Sequence, residues 1–209
     1  MFSISSRPIL VGAVLSLTLL AIPSPDQVLA QYQQTGIDSQ PTASTTIVRI
    51  DPAVEYFNQA EEQLEQGEYR RAIEYYNLAL RHSATYFERF IYGRGVALIG
   101  LKNYKGALRD LSQAIDVSPN FAAAYQSRGV ARYRLGDNSG ALEDYNQALA
   151  LNPELPASYY NRGSAKLQMG DRQGAIEDLK LAAKLLTEQG RISDSRRALE
   201  RAEKLRASS

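Results

Sequence analysis

The sequence predicts an all-α fold: a row of helix–turn–helix units stacked side by side. Three observations carry that prediction. Apolar and small side chains recur at helical spacing over segments of helix length. Glycine, proline and short capping residues punctuate those segments. The segments themselves repeat, since "GRGVALIGLKNYKGALRDLSQAI" from Gly93, "SRGVARYRLGDNSGALEDYNQAL" from Ser127 and "NRGSAKLQMGDRQGAIEDLKLAA" from Asn161 start 34 residues apart. A step of that size marks an array in which each unit buries its face against the next.

The first thirty residues differ in kind. Arg7 precedes an uncharged apolar run from Ile9 to Ile22, which Pro23 and Pro25 break before Val28, Leu29 and Ala30. The run has 14 residues, short of the roughly 20 that cross a bilayer as a helix. Residues 1–30 are therefore expected to be a signal peptide cleaved after Ala30, with an uncleaved anchor as the alternative. Membrane contact is expected only through this segment. Residues 31–50, rich in Gln, Ser and Thr and without period, are expected to be a flexible linker.

The array is expected over 51–189, as units 53–87, 88–121, 122–155 and 156–189. Asp51 and Pro52 open the first unit as cap and first-turn proline. In the third unit the spacing predicts one helix from Ala124 to Leu135 and a second from Ala141 to Leu151. Gly136 supplies the left-handed residue between them, and Asp137 the cap. Asn152–Pro153 is expected to stop that second helix and help start the next. Gly67–Glu68, Ser118–Pro119 and Gly170–Asp171 punctuate in the same manner. In the fourth unit Thr187 replaces the usual proline, so the second helix is expected to run on through Leu186.

Small residues keep one register. Ala60/Ala72/Ala79, Gly95/Ala107/Ala114, Gly129/Ala141/Ala148 and Gly163/Ala175/Ala182 stand at offsets of 12 and 7 in every unit. Glycine inside a helix costs about 0.5–1 kcal/mol relative to alanine. Three glycines at one place imply close helix approach that outweighs the cost. Beyond the array, residues 190–209 are expected to form a capping helix and tail. Ile192, Arg196, Leu199 and Leu205 or Ala202 trace its inward face, covering the apolar surface that a last unit leaves open.

The chemistry-bearing residues are sparse. The 209 residues carry a net charge of +1, one His and no Cys. This excludes a multi-histidine metal centre, a thiolate site and a cysteine nucleophile, and gives no general drive toward nucleic acid. Gly93, Gly95 and Gly100 fail the GxGxxG spacing and follow no strand. No catalytic residue, metal or cofactor is expected. Arg94, Arg128 and Arg162 recur with Asp110, Asp144 and Asp178, while the first unit has Gln59 and Tyr75 at those places. Joint absence predicts contact, so these six are expected to form structural ion pairs.

The 34-residue step, a Gly or Ala at the eighth place, Ala at the twentieth and twenty-seventh, and Pro near the end resemble the tetratricopeptide repeat. The wording "NRGxA…GDxxGAIEDL" is similar to cyanobacterial members. That resemblance implies a right-handed superhelix of about four units whose first helices line a binding groove. The lining carried over by place is Phe57, Asn58, Arg89, Tyr92, Gln126, Tyr133, Arg134, Tyr160 and Asn161. Glu61, Glu65, Val96, Val130, Ser164 and other neighbours accompany them. The chaperone clamp of the family is discounted, because Phe57 stands at its Lys place and Gly93 at its second Asn place. The resemblance implies a non-catalytic scaffold for a protein or peptide, and the expected signal peptide places it outside the cytoplasm, in the periplasm, thylakoid lumen or exterior. Alternatives are an accessory subunit of an envelope enzyme and a self-associating structural protein.

Overall fold

The structure, a computed structural model, describes residues 51–82 and 85–207. The expected signal peptide, 1–30, and linker, 31–50, lie outside the described residues. The described residues form nine α-helices and no strand. In chain order they are α1 Pro52–Glu65, α2 Tyr69–His82, α3 Phe87–Gly100, α4 Tyr104–Val117 and α5 Ala122–Arg134. Then follow α6 Asn138–Leu151, α7 Pro156–Gln168, α8 Arg172–Glu188 and α9 Ile192–Ala207. Successive helices pack on one another, and the odd-numbered helices also touch along the array from α1 to α7.

One turn recurs within the pairs. After α5, Gly136 adopts φ +85°, its N–H donates to the Tyr133 carbonyl, and the Asp137 N–H donates to that of Arg132. This arrangement satisfies carbonyls that a helix end otherwise leaves open. Asp137 then accepts the Gly140 N–H at 2.9 Å and caps α6, as Asp171 accepts from Gly174 at 2.8 Å for α8. The second unit makes the same turn without glycine, placing Lys102 at φ +60°. Asn103 caps α4 from Gly106 at 3.1 Å. Asp51 caps α1 through the Ala53 N–H at 2.9 Å, with Pro52 in the first turn.

The junctions between pairs correct one expectation. Asn152 ends α6 in an extended conformation, and its side chain accepts the Glu154 N–H at 2.9 Å. The next helix begins only at Pro156, so Pro153 belongs to the connection and not to α7. A proline sits well in a first turn, but two are available here and only the later one occupies it. Helix starts also fall two to three residues earlier than the apolar spacing suggests, at Ala122 and Asn138; at α6 the cap Asp137 starts a first turn of Asn138, Ser139 and Gly140 that carries no large apolar side chain.

The core is built from small residues and a few large ones. The alanines of the predicted register are buried throughout. Tyr76, Tyr145, Phe90, Leu111 and Leu179 fill the spaces between them. A second ladder joins neighbouring units. Ala97 packs with Ala60, Ala72 and Tyr76 of the preceding pair, Ala131 with Ala107 and Leu111, and Ala165 with Ala141 and Tyr145. At the end of the array, Ala202 of α9 takes this place against Ile176 and Leu179.

Helix α9 covers α8 with a face that keeps Ala202 and Leu205 of the expected one but is otherwise lined by small residues. Ser195, Ala198 and Ala202 are buried, whereas Ile192 and Leu199 are 53% and 45% exposed. Gly190 adopts φ +74° in the turn that leads from α8 into α9, and short side chains fill most of the contact between them. The Ser195 hydroxyl donates to the Ala183 carbonyl at 2.8 Å.

Candidate functional site

The odd helices carry all nine side chains expected to line a groove, and these, with the expected ion pairs, fall into three groups. The first group faces open space. Phe57, Asn58 and Arg89, with Val54, Tyr86 and Phe90, line a cavity of about 330 Å³ between α1 and α3. The Arg89 guanidinium lies 5.5 Å from the Phe57 ring centroid, a favourable cation–π placement. Asn58 has no hydrogen-bond partner among the described residues. Arg134 is exposed near the end of α5. Tyr160 and Asn161 line a second cavity, of about 310 Å³, with residues of α8 and α9 and the turn between them.

The second group is half-buried and makes contacts with neighbouring helices. The Tyr92 ring meets that of Phe121 at a tilt, with centroids 4.7 Å apart. Burial pushes its hydroxyl above the usual tyrosine range, partly offset by a hydrogen bond with Ser127. Gln126 accepts the Ser158 hydroxyl at 2.8 Å. Tyr133 leans on Tyr145 and its neighbours. Glu61 accepts the Tyr76 hydroxyl. Tyr92 and Gln126 meet the next odd helix or its lead-in, whereas Tyr133 and Glu61 meet the second helix of their own pair; in each place a partly buried polar or aromatic group takes the partner nearest to it.

The third group is the arginine–aspartate set. Arg94 Nε lies 2.7 Å from Asp110 Oδ2 and Arg94 Nη2 lies 3.0 Å from Oδ1. Arg128 meets Asp144 at 2.7 Å, and Arg162 meets Asp178 at 2.7 Å. Each is a two-pronged guanidinium–carboxylate contact, a strong geometry. Each arginine also donates from Nη1 to the preceding unit: Arg94 to Asn77 at 2.7 Å, Arg128 to Ser112 at 3.2 Å and Arg162 to Asn146 at 2.8 Å. Sequence reading missed these three acceptors, although two of them share residue type. Asp144 and Asp178 are only 2% exposed. Each receives a second cation, Arg132 at 3.3 Å and Lys166 at 3.0 Å respectively. For Arg128, burial works against the charge but the Asp144 contact outweighs it and the pKa rises. For Arg162 the Asp178 hydrogen bond dominates, in the same direction.

The glycines that superficially suggest a phosphate loop have structural occupants instead. A Cβ on Gly93 would stand 2.3 Å from the Tyr76 ring, one on Gly95 2.9 Å from Leu111, and one on Gly100 2.5 Å from the Tyr69 ring. All three lie inside α3. His82 ends α2, with its ring 5.2 Å from that of Tyr56. Among the described residues no group of three His, Cys, Asp or Glu could hold a metal ion. No described helix is long and apolar enough to cross a membrane.

Stacked helical pairs, with an alanine ladder at the junctions and cavities between first helices, define the class of helical solenoid repeat proteins. Residues 57–116 and 156–185 match the description Tetratricopeptide repeat, and residues 131–170 match TPR repeat. The chain belongs to the tetratricopeptide repeat family. Among curated proteins none matches the sequence.

Several solved structures share the fold. MamA from Desulfovibrio magneticus RS-1, from residue 41 to its end, is 20% identical over 77% of this chain and 98% of its own, with a TM-score of 0.58. TTC0263, a thermophilic TPR protein of Thermus thermophilus, is 20% identical over 75% and 96%, with a TM-score of 0.58. The second TPR domain of human RPAP3, solved in complex with the HSP70 peptide SGPTIEEVD, is 25% identical over 55% and 94%, with a TM-score of 0.51.

Proposed function

We propose that this chain is a non-catalytic, exported scaffold that receives another protein or peptide along its odd-numbered helices and helps organise a complex. The observation that carries the reading is the cavity of Phe57, Asn58 and Arg89 between α1 and α3. It combines an aromatic wall, an unpartnered amide and a cation, which suits a side chain and the backbone beside it. The peptide-bound RPAP3 domain supports the same use of a shared fold. The apolar run from Ile9 to Ile22 supports export.

Affinity capture with the chain from Gln31, read by mass spectrometry, tests the binding role. Replacing Phe57, Arg89 and Tyr160 together should release the captured partner while leaving helical content intact. If every partner stays bound, these helices are not the binding face. Cleavage after Ala30, read as the mass of the protein recovered from its host, tests export. A monodisperse homo-oligomer with no captured partner would favour the self-associating structural reading.

A further inference from the structure

The cavity at the far end of the array differs in chemistry from the one between α1 and α3. Pro156 and Ala157 of α7 and Leu186 of α8 supply apolar wall. Asn161 presents a carboxamide with no partner among the described residues. Arg191 and Arg197 stand at the rim, both bound to Asp194, the single acidic residue of the lining. Arg191 donates from Nε at 2.9 Å and from Nη2 at 2.6 Å to one Asp194 oxygen, and Arg197 donates to the other. Nearby, Arg201 donates to the Tyr160 hydroxyl at 2.8 Å and lies 5.1 Å from its ring centroid.

Two guanidiniums thus share one carboxylate. Each guanidinium carries five N–H donors in a planar fork, so most remain unused. Their side chains are 55% and 75% exposed, within reach of an incoming group. A guanidinium pairs best with a planar oxyanion, and the adjoining apolar wall takes an aliphatic side chain. Asn161 can hold a peptide N–H or C=O beside it.

We propose that this cavity receives a peptide segment in which a carboxylate adjoins an aliphatic side chain, with Arg191 and Arg197 as its anchors and Asp194 as an internal competitor. The inference rests on the peptide-binding reading above and locates one contact within it. In the free chain Asp194 holds the arginines in place. An arriving carboxylate takes over part of that pairing.

The test uses the full chain and three fluorescein-labelled forms of Ser-Leu-Glu-Ser-Leu-Glu-Ser, followed by anisotropy at low salt. One keeps both Glu residues and has an amidated end. One replaces Glu by Gln and keeps a free terminal carboxylate. The last has Gln and an amidated end, and so carries no carboxylate. At least one of the first two should bind about tenfold tighter than the last, and which one does so separates a side-chain from a terminal carboxylate. Arg191→Gln with Arg197→Gln should erase that preference. Asp194→Asn should tighten binding severalfold. Thermal melts of the variants should match the parent, since the altered side chains lie at the rim. Equal binding of all three peptides overturns the carboxylate site while leaving a peptide-binding chain. A preference that survives the double arginine variant, or a weaker Asp194→Asn complex, also overturns it. If no peptide binds, the site falls, and the capture experiment decides the broader reading independently.

Discussion

Tyr145 lies so close to Gly129 that a Cβ on the glycine would stand 2.6 Å from the ring carbon Cε1. Tyr145 is itself buried, so the ring has no free space to retreat into. Gly129→Ala gains about 1 kcal/mol of helix propensity but should still lower stability by about 1–3 kcal/mol through overpacking. Urea melts check this. Adding Tyr145→Leu to Gly129→Ala should recover part of the loss, and full additivity of the two changes would argue against the contact.

The Arg128–Asp144 pair should show coupling in a double-mutant cycle. Asp144 is almost wholly buried and Arg128 partly so, so Asp144→Ala, which leaves the guanidinium unpaired, should cost about 3 kcal/mol. Arg128→Ala should be the milder change, because Arg132 remains 3.3 Å from Asp144. A cycle with no interaction energy would remove the pair from the account of how units register.

The two faces of α9 should respond oppositely to substitution. Ile192→Lys and Leu199→Lys alter exposed positions and should stay within about 0.5 kcal/mol of the parent. Ala198→Leu and Ala202→Leu push bulk into the α8 contact and should cost about 1–3 kcal/mol. Denaturant midpoints of the four variants decide the matter.

Alkaline titration should separate the tyrosines. Burial pushes Tyr76 and Tyr145 above the ordinary tyrosine range, and the Glu61 contact adds to the effect at Tyr76. In the unfolded chain both ionise near pH 10. A folded value above the unfolded one means that their contribution to stability is complete below about pH 10 and declines as pH rises further. Absorbance at the tyrosinate band should therefore show Tyr76 and Tyr145 ionising only together with loss of helical signal. Tyr76→Phe should make alkaline unfolding less steep.

The period alone determined the unit, its two helices and the register of its small residues, because stacking like units forces like side chains to one place. It also made the arginine–aspartate contacts legible, since Gln59 and Tyr75 replace both members together in the first unit. Other features depended on which helices touch. The acceptors Asn77, Ser112 and Asn146 sit in the preceding unit, and no spacing within a unit points to them. Tyr92 and Gln126 read as groove anchors by place, and only the structure shows that the Tyr92 hydroxyl meets Ser127 and the Gln126 carboxamide meets Ser158 of the neighbouring units. In α9 the sequence pattern placed Ala202 inward, but packing on α8 decided that Ser195 and Ala198 turn inward beside it and that Ile192 and Leu199 stay exposed. Burial at a close crossing selects small side chains over hydrophobic ones, and only the distance between two helices reveals where that selection applies.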